Sequence, residues 1–241
     1  MRRLAVPILL AALLAGCGRE TVKPAPAPGP GRAVSFPAAD GVALAGTLFG
    51  EGETAVVLSN MGDNDPGPWQ EFAPLLADRG YAVLTYSFRY PWRTNSFSRR
   101  DATGTVPDLL GAVAFVRRSG ATHLVLVGAS LGGITVGKVA ATAGAEAVII
   151  LSAGQDLARY GLGVSARELA ALTMPKLFVA SEEDTITGLA LTRSFYERAP
   201  QPKELKTYPG GVHGVHLFDT GDGDDLRRRV LDFVVSHAPP G

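Results

Sequence analysis

From Ala33 onward, short continuous apolar runs alternate with longer stretches whose apolar residues recur at helical spacing. Thr54–Ser59 (TAVVLS), Ala82–Tyr86, His123–Val127, Ala147–Leu151 and Lys176–Ala180 are apolar at successive positions. A strand with one wet face alternates, whereas a strand covered on both faces does not, so these runs predict parallel strands inside a layered sheet. Ala33–Phe36 and Val42–Phe49 flank Ala39-Asp40-Gly41, a turn signal that predicts an antiparallel hairpin. Leu205–Tyr208 reads as the last strand. The intervening helices are expected over Trp69–Arg79, with Phe72, Leu75 and Leu76 on one face, and over Val106–Arg118, with Leu109, Leu110, Val113 and Val116. Gly132–Ala143, Gly188–Arg198 and Asp224–Ser236 complete the series, and Gly80 and Gly120 act as stops. Strand alternating with helix predicts an α/β fold, with a mostly parallel central sheet, right-handed crossovers and helices on both faces. Asp156 to Thr173 is the only room for a lid, so any lid is minimal.

The first residues follow a different pattern. Arg2 and Arg3 precede an apolar stretch from Leu4 to Leu14, which is shorter than the about 20 residues a membrane-spanning helix needs. Leu14-Ala15-Gly16-Cys17 resembles the lipobox of bacterial lipoproteins, and Cys17 is the only cysteine among the 241 residues. The resemblance implies a signal peptide over 1–16, cleavage before Cys17, and lipid on its sulfur and new amino terminus. Residues 17–31 are rich in Pro, which fixes φ and lacks an N–H, so they read as a spacer. The folded domain is expected over 32–241, as one unit and as a monomer. The chain would then stand in the bacterial cell envelope on the extracytoplasmic side, with the membrane as partner through Cys17.

Composition narrows the chemistry. Lys plus Arg number 23 and Asp plus Glu number 23, so no net charge favours nucleic acid. One cysteine excludes an internal disulfide and a CxxC site, and no HExxH is present, so a metal site, which would have to use His213 and His216 with carboxylates, is a minor alternative.

The chemical signal lies in His123 to Gly137, HLVLVGASLGGITVG. A buried strand runs into Gly128-Ala129-Ser130-Leu131-Gly132, and a helix follows. A serine on so sharp a turn stands clear of the sheet, its neighbours must be small, and the helix N-terminus favours developing negative charge. A dinucleotide-binding loop would need Gly-x-Gly-x-x-Gly, and the glycines here are 128, 132 and 133. Ser130 is therefore the expected nucleophile. A serine hydroxyl needs a base, and the base needs orienting. Ser181-Glu182-Glu183-Asp184 follows the Lys176 strand, and Asp184, where the chain leaves the sheet, is the expected acid, with Glu182 and Glu183 as alternatives. His213, in Gly210-Gly211-Val212-His213-Gly214, is the expected base, with His216 as the alternative. His123 and His237 read as structural.

With these residues in view, Val34 to Ser236 resembles the α/β-hydrolase superfamily, near its dienelactone-hydrolase-like and esterase-like members. Gly128-Ala129-Ser130-Leu131-Gly132, the Asp184 loop and His213-Gly214 carry the match. The resemblance implies a Ser130–Asp184–His213 triad without metal or cofactor. It also implies an oxyanion hole made by the backbone N–H of Leu131 and of a residue after Ser59, for which Met61 is expected, with Gly62 next. Two departures stand out. Asn60-Met61 replaces a common His-Gly, and Phe88-Arg89-Tyr90-Pro91-Trp92-Arg93 replaces a glycine-rich turn. Asn60, Gly62, Tyr90 and Trp92 are taken as substrate-binding, although Tyr90 and Trp92 would equally serve to cover the sheet edge. Arg89 is expected to pair with Asp108. The implied activity is hydrolysis of a small carboxylic ester, or a related thioester or lactone, through an acyl-enzyme. The rival readings are a non-catalytic envelope lipoprotein of the same fold and a peptidase.

Overall fold

A computed structural model describes residues 31–91 and 96–241. The signal segment, Cys17, most of the spacer, Trp92 and Arg93 lie outside the described residues. Eight strands form one sheet: β1 (Arg32–Pro37), β2 (Ala43–Phe49), β3 (Thr54–Ser59), β4 (Ala82–Tyr86), β5 (His123–Ala129), β6 (Ala147–Leu151), and the two strands Lys176–Ser181 and Lys203–Tyr208. Between β6 and Lys176, two-residue strands β7 (Asp156–Leu157) and β8 (Leu162–Gly163) pair antiparallel around a 3-10 turn, which makes the long strands β9 (Lys176–Ser181) and β10 (Lys203–Tyr208). The sheet order is β1-β2-β4-β3-β5-β6-β9-β10. The six strands from β4 to β10 run parallel, and β2 alone is reversed, pairing antiparallel with β1 and β4.

The continuous apolar runs are explained by what covers them. Along β5, Leu124 and Leu126 enter one core while Val125 and Val127 enter the other. On one face lie α1 (Gly67–Ala77) and α6 (Gly223–His237), through Trp69, Phe72, Leu76, Leu226 and Val230. On the other lie α2 (Arg99–Arg118), α3 (Leu131–Ala143), α4 (Ala166–Ala170) and α5 (Leu189–Arg198), through Leu109, Val136, Leu169 and Phe195. At about 25 cal/mol per Å² of apolar surface, this double burial is the main stabilising contribution.

Helix α2 begins seven residues before the expected Val106. The expected start leaves Gly104 outside the helix, and it lies within α2 with Pro107. A side chain at Gly104 would meet Arg89, and the Pro107 carbonyl accepts the Ala39 N–H at 2.8 Å. The start is fixed by a capping box, in which Ser98 accepts the Asp101 N–H and Asp101 accepts the Ser98 N–H at 2.8 Å. Arg89 does pair with the fully buried Asp108, at 2.8 Å, and also with Asp40 at 2.7 Å, tying the loop after β4 to α2 and to the β1–β2 turn.

Candidate active site

The carboxyl ends of the parallel strands gather the predicted residues. Ser130 links β5 to α3 with φ 51° and ψ −115°, a conformation that side-chain-bearing residues rarely adopt. The motif's glycines make the turn possible. A side chain at Gly128 would strike the backbone of Gly132 and Gly133, and one at Gly132 would strike the carbonyls of Asn60 and Ser59. Gly132 instead donates its N–H to Asn60 O at 3.0 Å, which fastens the loop after β3 to the elbow. The N–H of Leu131, and on the loop after β3 those of both Met61 and Gly62, have no hydrogen-bond partner among the described residues. Unengaged donors at the start of α3 and on the loop fastened to it suit the stabilisation of an oxyanion.

Asp184 and His213 are brought together. Asp184 Oδ2 and His213 Nδ1 are 2.7 Å apart, and the carboxylate side chain is 1% exposed. Its Oδ1 accepts the N–H groups of Ile186 at 2.8 Å and Thr187 at 3.2 Å. Burial pushes the Asp184 carboxyl up, but the His213 hydrogen bond and charge and these two backbone donors outweigh it, and the group lies below its ordinary value. An ionised carboxylate only accepts, so His213 Nδ1 carries the proton and Nε2 keeps its lone pair free. Of the alternatives, Glu182 accepts a bond from Thr207 Oγ1 on the surface, Glu183 is exposed, and His216 lies exposed 3.8 Å from Asp219. His123 pairs with Glu146 at the opposite sheet edge.

The histidine loop is held against the elbow. Gly214, with φ 59°, packs over Ala129 and leaves the space that Met61 Sδ fills. Its N–H donates to Ser152 Oγ at 3.0 Å, and Ser181 Oγ donates to the carbonyl of Val212. A side chain at Gly214 would lie 3.6 Å from Ala129 Cβ, so His213 is one residue from a position beside the neighbour of Ser130. The Ser130 hydroxyl makes no hydrogen bond among the described residues, which leaves it free to turn. It opens on a cleft of about 400 Å³, which Gly62, Leu131, Ile134 and Thr187 also line.

Two expectations are corrected. Asn60 is wholly buried and does not line the cleft. Its Nδ2 donates to Tyr86 O at 3.0 Å and to Asn64 Oδ1 at 3.2 Å, so it shapes the loop rather than facing a ligand. Tyr90 is also buried behind the wall, its hydroxyl donating to Gly62 O at 3.2 Å and its ring packed between Phe88 and Phe97. Only Gly62 of that group reaches the cleft; Trp92 lies outside the described residues.

Two residues escaped the sequence reading. Asn64, at φ 60°, accepts the Phe88 N–H at 2.8 Å and donates to Tyr90 O at 2.7 Å, joining the loops after β3 and β4. Ser152, at φ 46°, holds Gly214. The sole sequence signal is that each residue follows a buried strand, which does not single out a latch.

The chain matches no protein-family model and no curated protein. Solved structures share its architecture. It is similar to the esterase domain of a Rhodothermus marinus protein, with a TM-score of 0.67 and 18% identity over 85% of this chain and 97% of that one. A lidless α/β serine hydrolase from Xanthomonas campestris gives 0.64 at 17% identity, over 85% and 93%. A thermophilic esterase from Thermogutta terrifontis gives 0.68 at 18%, over 88% and 94%. The fold is that of the α/β hydrolases, with its hairpin at the amino end and a small insert in place of a lid.

Proposed function

We propose that the protein is a serine hydrolase of carboxylic esters that works through an acyl-enzyme on Ser130. The observation that carries this reading is the buried Asp184–His213 pair, held at 2.7 Å beside an elbow that keeps Ser130 in a strained backbone conformation. Strain of this kind costs about 1–3 kcal/mol and persists where the surroundings enforce it.

In the first step Ser130 Oγ attacks the ester carbonyl carbon while His213 Nε2 takes the hydroxyl proton. The carbonyl π pair moves to oxygen, and the N–H groups of Leu131 and Met61 stabilise the resulting charge. Each such donor is worth roughly 3–4 kcal/mol of barrier. The tetrahedral adduct collapses, the C–O bond to the alcohol breaks, and the departing oxygen takes the proton from His213. Water then gives its proton to His213, attacks the acyl carbon, and releases the acid as Ser130 recovers its hydrogen. Asp184 holds the ring and stabilises the imidazolium without taking a proton. The esterase names of the structural neighbours support an ester as substrate.

Hydrolysis of p-nitrophenyl acetate and labelling by a fluorophosphonate probe test the reading. Both are expected in the protein and absent in Ser130→Ala, with the circular dichroism unchanged. A Ser130→Ala protein of undiminished activity would remove Ser130 from this role. The reading includes the lipid anchor: incorporation of labelled palmitate, lost in Cys17→Ser, is expected in a bacterial host.

A further inference from the structure

The walls of the cleft are apolar out to its mouth, and there the molecule does something unusual with its hydrophobic residues. Among the described residues five large hydrophobic side chains are exposed. Val42, Val212 and Val235 are 36–40% exposed, as scattered surface residues commonly are. Ile186 and Leu191 are 72% and 57% exposed, and both line the Ser130 cleft. Neither position is an accident of a loose segment. The Ile186 N–H is fixed on Asp184 Oδ1, and Leu191 lies in the first turn of α5, turned away from the buried Thr192 and Phe195 and over Gly154.

Inside the mouth, Ile134, Leu157, Phe97 and Tyr160 continue the apolar surface. Among the described residues the only charged ones on the wall, Asp156 and Arg159, are engaged within the insert. Asp156 accepts the Ala158 N–H at 3.2 Å, and the Arg159 guanidinium lies 4.6 Å over the Tyr160 ring. The outermost apolar residues, Ile186 and Leu191, remain wet unless something apolar covers them.

We infer that the substrate carries an aliphatic chain, which runs from Ser130 along Ile134 and Leu157 and leaves the cleft across Ile186 and Leu191. The inference rests on the hydrolase reading above and narrows its substrate class from small esters to amphiphilic ones. The chain belongs to whichever half of the ester lies in the cleft, acyl or alcohol, and the test has an arm for each.

The measurement is kcat/KM, below the aggregation range of each substrate, on p-nitrophenyl acetate, butyrate and octanoate, and on ethyl and octyl acetate. The octanoate-to-acetate or the octyl-to-ethyl ratio is expected to be well above one. Hydrophobic contacts discriminate single methylenes by about tenfold or more, so Leu191→Asp is expected to lower that ratio at least about tenfold. Leu191→Met, which keeps an apolar side chain, is expected to restore it. A ratio unchanged by Leu191→Asp in both arms, or a flat chain-length profile in the parent protein, overturns the inference while leaving the hydrolase reading in place. Absence of both acetate hydrolysis and fluorophosphonate labelling overturns both.

Discussion

The two edges of the sheet differ in which residues take positive φ: the amino edge uses glycine alone, whereas the carboxyl edge uses glycine, at Gly188, Gly210 and Gly214, and residues with side chains as well. At the amino edge, where the chain turns from β2 toward β3 and enters β4, β5 and β6, the positive φ values belong to Gly50, Gly80, Gly120 and Gly144. At the carboxyl edge the three non-glycine residues with positive φ among the described residues, Asn64, Ser130 and Ser152, follow β3, β5 and β6. Glycine adopts that conformation without a steric penalty, whereas other residues incur about 1–2 kcal/mol. The amino edge is thus built for stability. The carboxyl edge accepts strain where a side chain is required: Asn64 and Ser152 as latches, Ser130 in the wall of the cleft. Even the buried charges differ. Lys176, at the amino edge, gives its ammonium to the carbonyls of Pro200 and Pro202 at 2.8 and 2.9 Å, whereas Asp184 gives its carboxylate to His213.

If this division is real, substitutions at the two edges separate activity from stability. Among substitutions that keep Ser130, Asp184→Asn has the largest expected effect, a fall in kcat of about 10³–10⁴-fold on an activated ester with the fold retained, because the amide no longer holds the His213 tautomer. A loss below tenfold would break the comparison at its centre. Ser152→Ala leaves the Gly214 N–H without its acceptor. It is expected to cost about 1–3 kcal/mol in denaturant unfolding and to lower kcat more than it changes KM. A single pair of variants then sets the edges against each other. Gly120→Ala meets no neighbouring atom, so its φ of 108° makes the penalty purely conformational. About 1–2 kcal/mol of stability should disappear with kcat unchanged. Ser130→Gly relieves the strained elbow, and should gain about 1 kcal/mol while activity vanishes.

The smallest effect is on pH. Burial pushes the Lys176 ammonium down to about 8. The unfolded chain, near 10.4, then binds more protons between those values, and stability attributable to this group rises with pH across the window. Unfolding midpoints measured on either side of it should show that rise in the parent protein relative to Lys176→Met. Asp184 acts at the other end of the scale: its depressed value adds stability above the ordinary carboxylate range, and that stability fades as acid carries it through its folded value.

Much of this architecture is written locally. The runs at β3, β4 and β6 coincide with their strands residue for residue, because every position of a strand covered on both faces is buried and the run ends where that cover ends. The elbow is equally legible, since Gly128 and Gly132 are demanded by contacts within a few residues and with one neighbouring loop. The start of α2 is not: apolar spacing places it at Val106, whereas the capping box of Ser98 and Asp101 sets it at Arg99, and Gly104 within it is held close to Arg89 from elsewhere in the chain.

The sequence by itself determined the layered sheet, the sharp turn at Ser130 and the presence of an acid and a histidine after it, because each rests on short-range patterning or on one residue's own conformational freedom. Tertiary structure decided which acid and which histidine meet. Glu182, Glu183 and Asp184 are chemically near-equivalent in a string, and only the burial of one beside His213 separates them. It likewise turned Asn60 and Tyr90 away from the cleft and brought Ile186 and Leu191 to its mouth, since which way a side chain faces is settled by what the rest of the chain packs against it.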